Sequence, residues 1–255
     1  MGQLVANAQS PMPGIQALIY VYPRERLSIS TDNYSSNAMK MIVFDMDSTL
    51  IDAETINELA AAAGVGDEVT EITRRAMNGE LDYGTALRER VSLLKGLSIE
   101  RAKHVCNSLP LMPGARELVD AVKHAGCKTA MITCGFMISA RRIGDMLGID
   151  YVIANELVKN DGVLTGEVSG DLTEYDSKAR LLEDLAQRCG IDTSECIVIG
   201  DGANDIYMFE IAGYSIAFNA KPVLKSHADA TVDQKDLRAI IPIIQQIPRL
   251  GMSDG

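Results

Sequence analysis

Five short apolar runs, at residues 41–44, 130–133, 151–154, 196–199 and 215–218, recur between segments whose apolar residues have helical spacing. The first run, Met41-Ile-Val-Phe44, is continuous, the pattern of a strand buried on both faces. Such strands need helices above and below them, and strands joined through helices run parallel. The repeat therefore predicts an α/β fold with a doubly wound parallel sheet. The intervening helices are expected between Pro113 and Gly126, then at 140–147 closed by Gly148, at 176–189 and at 205–212. Around Asn160-Asp161-Gly162, two short segments at 157–158 and 163–168 predict a hairpin.

One stretch breaks the alternation. Between the first run and Leu111, three helical patterns follow one another with no strand between them. Ile56, Leu59, Ala60 and Ala63 end at Gly64; Val69, Ile72 and Ala76 end near Gly79; Tyr83, Leu87, Val91 and Leu94 end at Gly96. Asp52, Asp67 and Asp82 are the expected N-caps, and the glycines are the stops. Residues 55–110 thus read as a small helical cap inserted into a core made of 39–54 and 111–255. Residues 1–38 scatter Pro, Ser, Asn and Gly without a period. They are expected to be a disordered or dispensable tail, so that a chain beginning at Met39 should keep its activity.

Composition narrows the partners. The chain has 255 residues, 35 acidic against 24 basic, and a formal charge of -11, a field that repels nucleic acid and anionic lipid. Its five cysteines are odd in number, without a C-x-x-C pair or a cysteine/histidine cluster at zinc-ligand spacing. No apolar run approaches the ~20 residues that a membrane helix needs, and the start lacks a secretory signal. The expectation is a cytoplasmic protein with reduced thiols and no membrane or nucleic-acid partner.

In a doubly wound sheet, ligands bind outside the carboxyl ends of the strands, so the polar residues following each apolar run belong together. They are Asp45-Met-Asp47-Ser-Thr49, Thr133-Cys134-Gly135 and Gly200-Asp201-Gly-Ala-Asn204-Asp205. Four converging carboxylates repel one another unless a cation sits among them, and hard oxygen donors without histidine favour magnesium. Phosphoryl transfer needs an in-line nucleophile, neutralised phosphoryl oxygens and a proton for the leaving group. Asp45 could attack phosphorus, while Asp47 could protonate the departing oxygen and later activate water. The Thr133 hydroxyl and the backbone N–H groups of Cys134 and Gly135, read as opening a helix, offer a phosphate cradle. Lys178, beside Ser177 at a helix start, could add fixed positive charge; taken alone it equally reads as a solvated helix lysine. In the cap, Arg90 sits on an apolar stripe and Glu54 near the first strand end. Together they could pair with the carboxylate and ammonium of an amino acid, although either could be an ordinary surface charge.

These motifs, in order and at strand ends, resemble those of the haloacid dehalogenase-type phosphatases, and among them the phosphoserine phosphatase family, over residues 39–244. The resemblance implies a Rossmann-like core and an Mg2+-dependent hydrolase. Its implied substrate is a small phosphorylated amino acid, O-phosphoserine, at the last step of serine biosynthesis, and its implied form a monomer or homodimer. It makes Asp45 the nucleophile, Asp47 the proton donor and a backbone-carbonyl metal ligand, and Asp201 the other carboxylate ligand. Asn204 would contact substrate, Asp205 would lie behind the ligands and orient Lys178 or a metal-bound water, and Met77 and Tyr83 would form an apolar lid. Two departures stand out: the family more often has serine and glycine at the positions of Thr133 and Cys134, and phenylalanine at that of Tyr83. A phosphotransferase or a phosphatase acting on another small phospho-alcohol such as phosphohomoserine, and a catalytically silent binder of a phosphometabolite, remain alternatives.

Overall fold

The computed structural model describes residues 39–247, together with the backbone of two short strands, β1 (Gln3–Leu4) and β2 (Ile19–Val21). The expectation of a dispensable tail over 1–38 otherwise lies outside the described residues. Seven further strands follow: β3 (Met41–Phe44), β4 (Lys128–Phe136), β5 (Tyr151–Asn160), β6 (Val163–Ser169), β7 (Cys196–Gly200), β8 (Tyr214–Phe218) and β9 (Ala230–Val232). The sheet order is β1-β2-β5-β4-β3-β7-β8-β9, with β6 paired to β5 alone. The stretch from β5 to β9 is parallel throughout; β2 and β6 pair antiparallel with β5.

Every residue of β3 is buried, as its apolar run requires, and its alternate side chains serve different layers. Ile42 and Phe44 join a core with Leu118 and Val122 of α5 (Ala115–His124) and Ile143 and Leu147 of α6 (Met137–Leu147). Met41 and Val43 join the opposite core with Leu181, Leu182 and Leu185 of α7 (Ser177–Cys189) and Met208 of α8 (Ile206–Ile211). Period-two side chains on a sheet clad on both faces produce this division. Because β3 lies between β4 and β7, chain connections leave it in both directions and open a crevice at its carboxyl end.

The cap comprises α1 (Thr55–Ala63), α2 (Gly66–Met77), α3 (Tyr83–Ser92) and α4 (Ile99–Ser108). The fourth of these helices had no counterpart in the sequence pattern, although Ser98 caps it through the Arg101 N–H and Ala102 and Cys106 face inward. Two expected N-caps are displaced. Glu54, not Asp52, precedes α1, and Asp52 instead pairs with Lys235 at 2.5 Å. Asp67 lies inside the first turn of α2, where an acidic side chain meets the positive helix end without capping it. Asp82 does cap α3, accepting from the Thr85 N–H. The hairpin of β5 and β6 is longer than expected because β5 continues unbroken from Tyr151, and it braces the cap: the Gly96 N–H donates to the Leu164 carbonyl at 2.9 Å. Near the carboxyl end, α9 (Pro222–Lys225) follows β8 and α10 (Ile241–Gln246) packs on the α5 side. No helix among the described residues is long and apolar enough to cross a membrane.

Candidate active site

The carboxyl ends of β3, β4 and β7 deliver their polar residues to one cavity of about 640 Å³ roofed by the cap. Asp45, Asp47, Asp201, Asn204, Thr133, Cys134 and Gly135 line it from the core; Glu54, Met77, Tyr83 and Arg90 line it from the cap side. Lys178 and Asp205 lie beneath its floor.

Lys178 is the organising charge. At 1% exposure it is enclosed, and its Nζ contacts Asp45 Oδ1 at 2.8 Å and Asp205 Oδ1 at 2.7 Å. Burial opposes its charge, but Asp205 and Asp45 outweigh that penalty and hold its pKa above the ordinary lysine value. The solvated-helix alternative for Lys178 is thereby excluded. Asp45 Oδ1 also accepts the Met46 N–H at 2.7 Å, which leaves its second oxygen for other chemistry. The other oxygen of Asp205 accepts the Gly202 N–H at 3.2 Å, so both of its oxygens are engaged in holding Lys178 and the loop.

Asp47 is in a different environment. Its Oδ1 accepts from the backbone N–H and hydroxyl of Thr55, at 2.9 and 2.5 Å. Burial and then the Glu54 charge raise its pKa to about 7, against the lowering effect of the Thr55 bonds. Its Oδ2 lies against Gly135, where a Cβ would approach to 2.6 Å, so any larger residue there would push the Asp47 carboxylate out of its place. The Gly135 N–H donates to Thr133 Oγ1 at 3.0 Å. Here the structure corrects the expected cradle: β4 runs on to Phe136 and the helix begins at Met137, so Cys134 and Gly135 precede the helix. A register shift between β4 and β5 after Thr133 accommodates the longer strand.

Asn204 donates to Cys134 Sγ at 3.8 Å, tying the β7 loop to the β4 loop. Glu54 accepts the Ser48 hydroxyl at 2.7 Å, and Ser48 takes the left-handed φ of 56° that turns the chain below it. Arg90 donates from Nε to the Ala86 carbonyl at 3.1 Å and from a terminal nitrogen to Thr73 Oγ1 at 3.5 Å. It forms no ion pair among the described residues, so its charge is available. Tyr83 packs on Tyr175 with ring centroids 5.4 Å apart, and burial, then the neighbouring Cys134, push its hydroxyl pKa well above the usual value. Met77 is 71% exposed at the cavity mouth.

Carboxylate oxygens of Asp45, Asp201 and Asp205 lie within 4.8 Å of one another. Burial, then the charges of Asp45, Asp205 and Glu54, raise Asp201 to about 8. A cluster of hard oxygen donors that repel one another this strongly fits a metal ion. A testable consequence concerns the metal-free protein. Asp201 binds a proton in the folded state between its ordinary value of 3.8 and about 8, where the unfolded chain has released it. The folded state therefore holds more protons across that window, and stability falls as pH rises through it. Thermal unfolding of chelator-treated protein from pH 4 to pH 8 is expected to show this fall, and added divalent cation is expected to flatten it; an unchanged midpoint in both conditions would be inconsistent with the cluster.

Thr55, Tyr175 and Lys221 line or support the site without having been expected there. Lys221 was accessible to the strand-end argument, since it follows the parallel strand β8 as Asp201 follows β7; Tyr175 carried no comparable signal.

The profile of the haloacid dehalogenase-like hydrolases matches residues 39–213. A phosphoserine phosphatase of Archaeoglobus fulgidus is 46% identical over 206 residues, covering 81% of this chain and 60% of that protein. One from Methanocaldococcus jannaschii is 44% identical over 206 residues, covering 81% of this chain and 98% of its own length. Among solved structures, a phosphoserine phosphatase with a phospho-aspartyl intermediate analogue superposes with a TM-score of 0.77 at 44% identity, covering 81% of this chain and 99% of that one. A substrate-bound phosphoserine phosphatase complex gives 0.76 at 44% identity, covering 80% and 97%.

Proposed function

Because this chain belongs to the haloacid dehalogenase-like hydrolases and, within them, to the phosphoserine phosphatase family, we infer that it hydrolyses O-phosphoserine to serine and inorganic phosphate through an aspartyl-phosphate on Asp45. The observation that carries this reading is the contrast between two carboxylates two residues apart. Asp45 is held by the Lys178 ammonium, while Asp47 is pushed up to about 7. Neighbouring carboxylates with such different surroundings divide naturally into nucleophile and acid.

In the first half-reaction, the free oxygen of Asp45 attacks phosphorus in line and Asp47 gives its proton to the departing serine oxygen. In the second, Asp47 takes a proton from water as that water attacks the acyl-phosphate, regenerating Asp45. Thr133 and the backbone around Gly135 hold phosphoryl oxygens, and Asn204 contacts the same group from the β7 side. Magnesium, held by Asp45, Asp201 and the backbone carbonyl of Asp47, would neutralise phosphoryl charge. Lys178 fixes the Asp45 carboxylate, with Asp205 orienting it. The cap covers the site with Met77 and Tyr83, keeping bulk water from the first transfer. The free cysteines, the absence of a membrane-crossing helix among the described residues and the acidic surface support a cytoplasmic setting.

Selection of the leaving group falls to Arg90 and Glu54, a guanidinium without an ion pair among the described residues and a carboxylate, both of which line the cavity. Arg90 would pair with the substrate carboxylate and Glu54 with its ammonium. Arg90→Ala is expected to lower kcat/KM for phosphoserine by roughly 100-fold while changing that for 4-nitrophenyl phosphate by less than about threefold. Equal losses on both esters would reject the carboxylate-pairing role. Failure of the unmodified protein, supplied with magnesium, to release phosphate from phosphoserine would overturn the substrate assignment itself.

A further inference from the structure

The approach to the cavity is acidic for the ligand it must admit. A phosphate monoester arrives as a dianion, yet beyond the Asp45 and Asp201 carboxylates that would hold the cation, Glu54 lines the wall and the chain carries a formal charge of -11. Lys178 offers little help at a distance, because it is enclosed at 1% exposure and already serves two carboxylates. The charge of Arg90, held in the cap by the Ala86 carbonyl and Thr73, is the one assigned above to the carboxylate of the substrate and not to its phosphate. One further cation lines the cavity: Lys221.

Lys221 is placed as a rim charge would be. It follows β8 and immediately precedes Pro222, and its backbone N–H donates to the Asp201 carbonyl at 3.0 Å, which pins its Cα beside the β7 loop. Its side chain is exposed and forms no ion pair among the described residues. It nevertheless lines the same cavity as the Asp201 carboxyl, which places the residue at the cavity edge. An exposed cation at the mouth of an acidic cleft reverses the local field along the entry path at little desolvation cost.

We propose that Lys221 is the anion-capture residue of this site: it draws the phosphate dianion of the substrate to the mouth of the cavity and slows the escape of inorganic phosphate, without taking part in the transfer. The proposal rests on the phosphatase reading above, but it concerns the phosphate group alone and applies to any phosphate monoester the site admits.

The test compares the unmodified protein with Lys221→Gln and Lys221→Arg, using phosphoserine and 4-nitrophenyl phosphate at several salt concentrations. In Lys221→Gln, kcat/KM is expected to fall roughly 5- to 10-fold for both esters at low ionic strength, with kcat within about twofold. Competitive inhibition by inorganic phosphate should weaken by a similar factor. The deficit should shrink at about 0.5 M salt, where the unmodified protein loses the same advantage, and Lys221→Arg should restore it. A loss in kcat equal to that in kcat/KM, a deficit that persists unchanged at high salt, or no deficit at all would each overturn the proposal. The two esters separate this outcome from the substrate assignment. If phosphoserine is not turned over, the nitrophenyl ester still reads Lys221; if Lys221 proves silent, phosphoserine turnover stands unaffected.

Discussion

Asp45→Asn is expected to lower phosphoserine turnover by roughly 10⁴-fold or more while leaving a folded protein. The amide is nearly isosteric, so the Met46 N–H can still donate to the side-chain carbonyl. What disappears is the charged oxygen that forms the bond to phosphorus. The loss should fall on kcat as well as kcat/KM, because the missing interaction exists only on the way to the transition state. Rates from quenched phosphate release, with circular dichroism to verify the fold, decide the matter. Turnover within tenfold of the unmodified protein would exclude Asp45 as nucleophile.

A second large effect should appear in stability. Lys178→Ala removes an ammonium enclosed between Asp45 and Asp205, at 2.8 and 2.7 Å, and leaves two buried carboxylates facing each other without compensation. Breaking a buried pair from one side typically costs ~3–5 kcal/mol, more than the intact pair contributes relative to an apolar replacement. Urea unfolding at pH 7 should register a loss of that order, together with loss of catalysis. The penalty should shrink toward pH 4, because burial raises the Asp205 carboxyl and its protonation removes one of the two facing charges. Lys178→Met, which fills the volume without the charge, should be no more stable than Lys178→Ala by more than the packing term of about 2 kcal/mol. A pH-independent deficit would mean that Lys178 matters here as volume and not as charge.

The parts of the fold that were legible in the sequence are those where one local pattern has one structural outcome. The unbroken apolar run at 41–44 could be satisfied only by burial on both faces, and β3 is the fully enclosed strand between β4 and β7. Polar residues immediately after such runs must lie at the carboxyl edge, which is why Asp45, Thr133 and Asp201 could be grouped before any distance was known. Boundaries were less legible because they depend on neighbours. β4 extends three residues past Thr133 through a register shift against β5, a long-range pairing that no local pattern encodes, and the helix start moves with it. The α4 helix went unseen because a short amphipathic segment buries few apolar residues of its own and owes its stability to packing on α1 and α6. Tyr175 was invisible for a related reason: it sits in a loop and reaches the site only because α3 brings Tyr83 onto it.

Electrostatics follow the same division. That Asp47 and Asp201 would repel neighbouring carboxylates was apparent from their grouping, but the rise to about 7 and about 8 comes from burial, which only the assembled cap and core provide. Lys178 illustrates the limit most clearly. Alone in a helix it reads as solvated, and its enclosure depends on Asp205, 27 residues away in the chain.

The covalent intermediate on Asp45 is the central claim, and it can be trapped directly. Protein turning over phosphoserine with magnesium would be quenched in acid, digested and mapped by mass spectrometry. The mechanism predicts one added phosphoryl group on the peptide containing Asp45, lost on brief exposure to base or hydroxylamine and absent from Asp45→Asn. Steady release of phosphate with no phosphorylated Asp45 peptide after such a quench, or with the phosphoryl group on another residue, would contradict it.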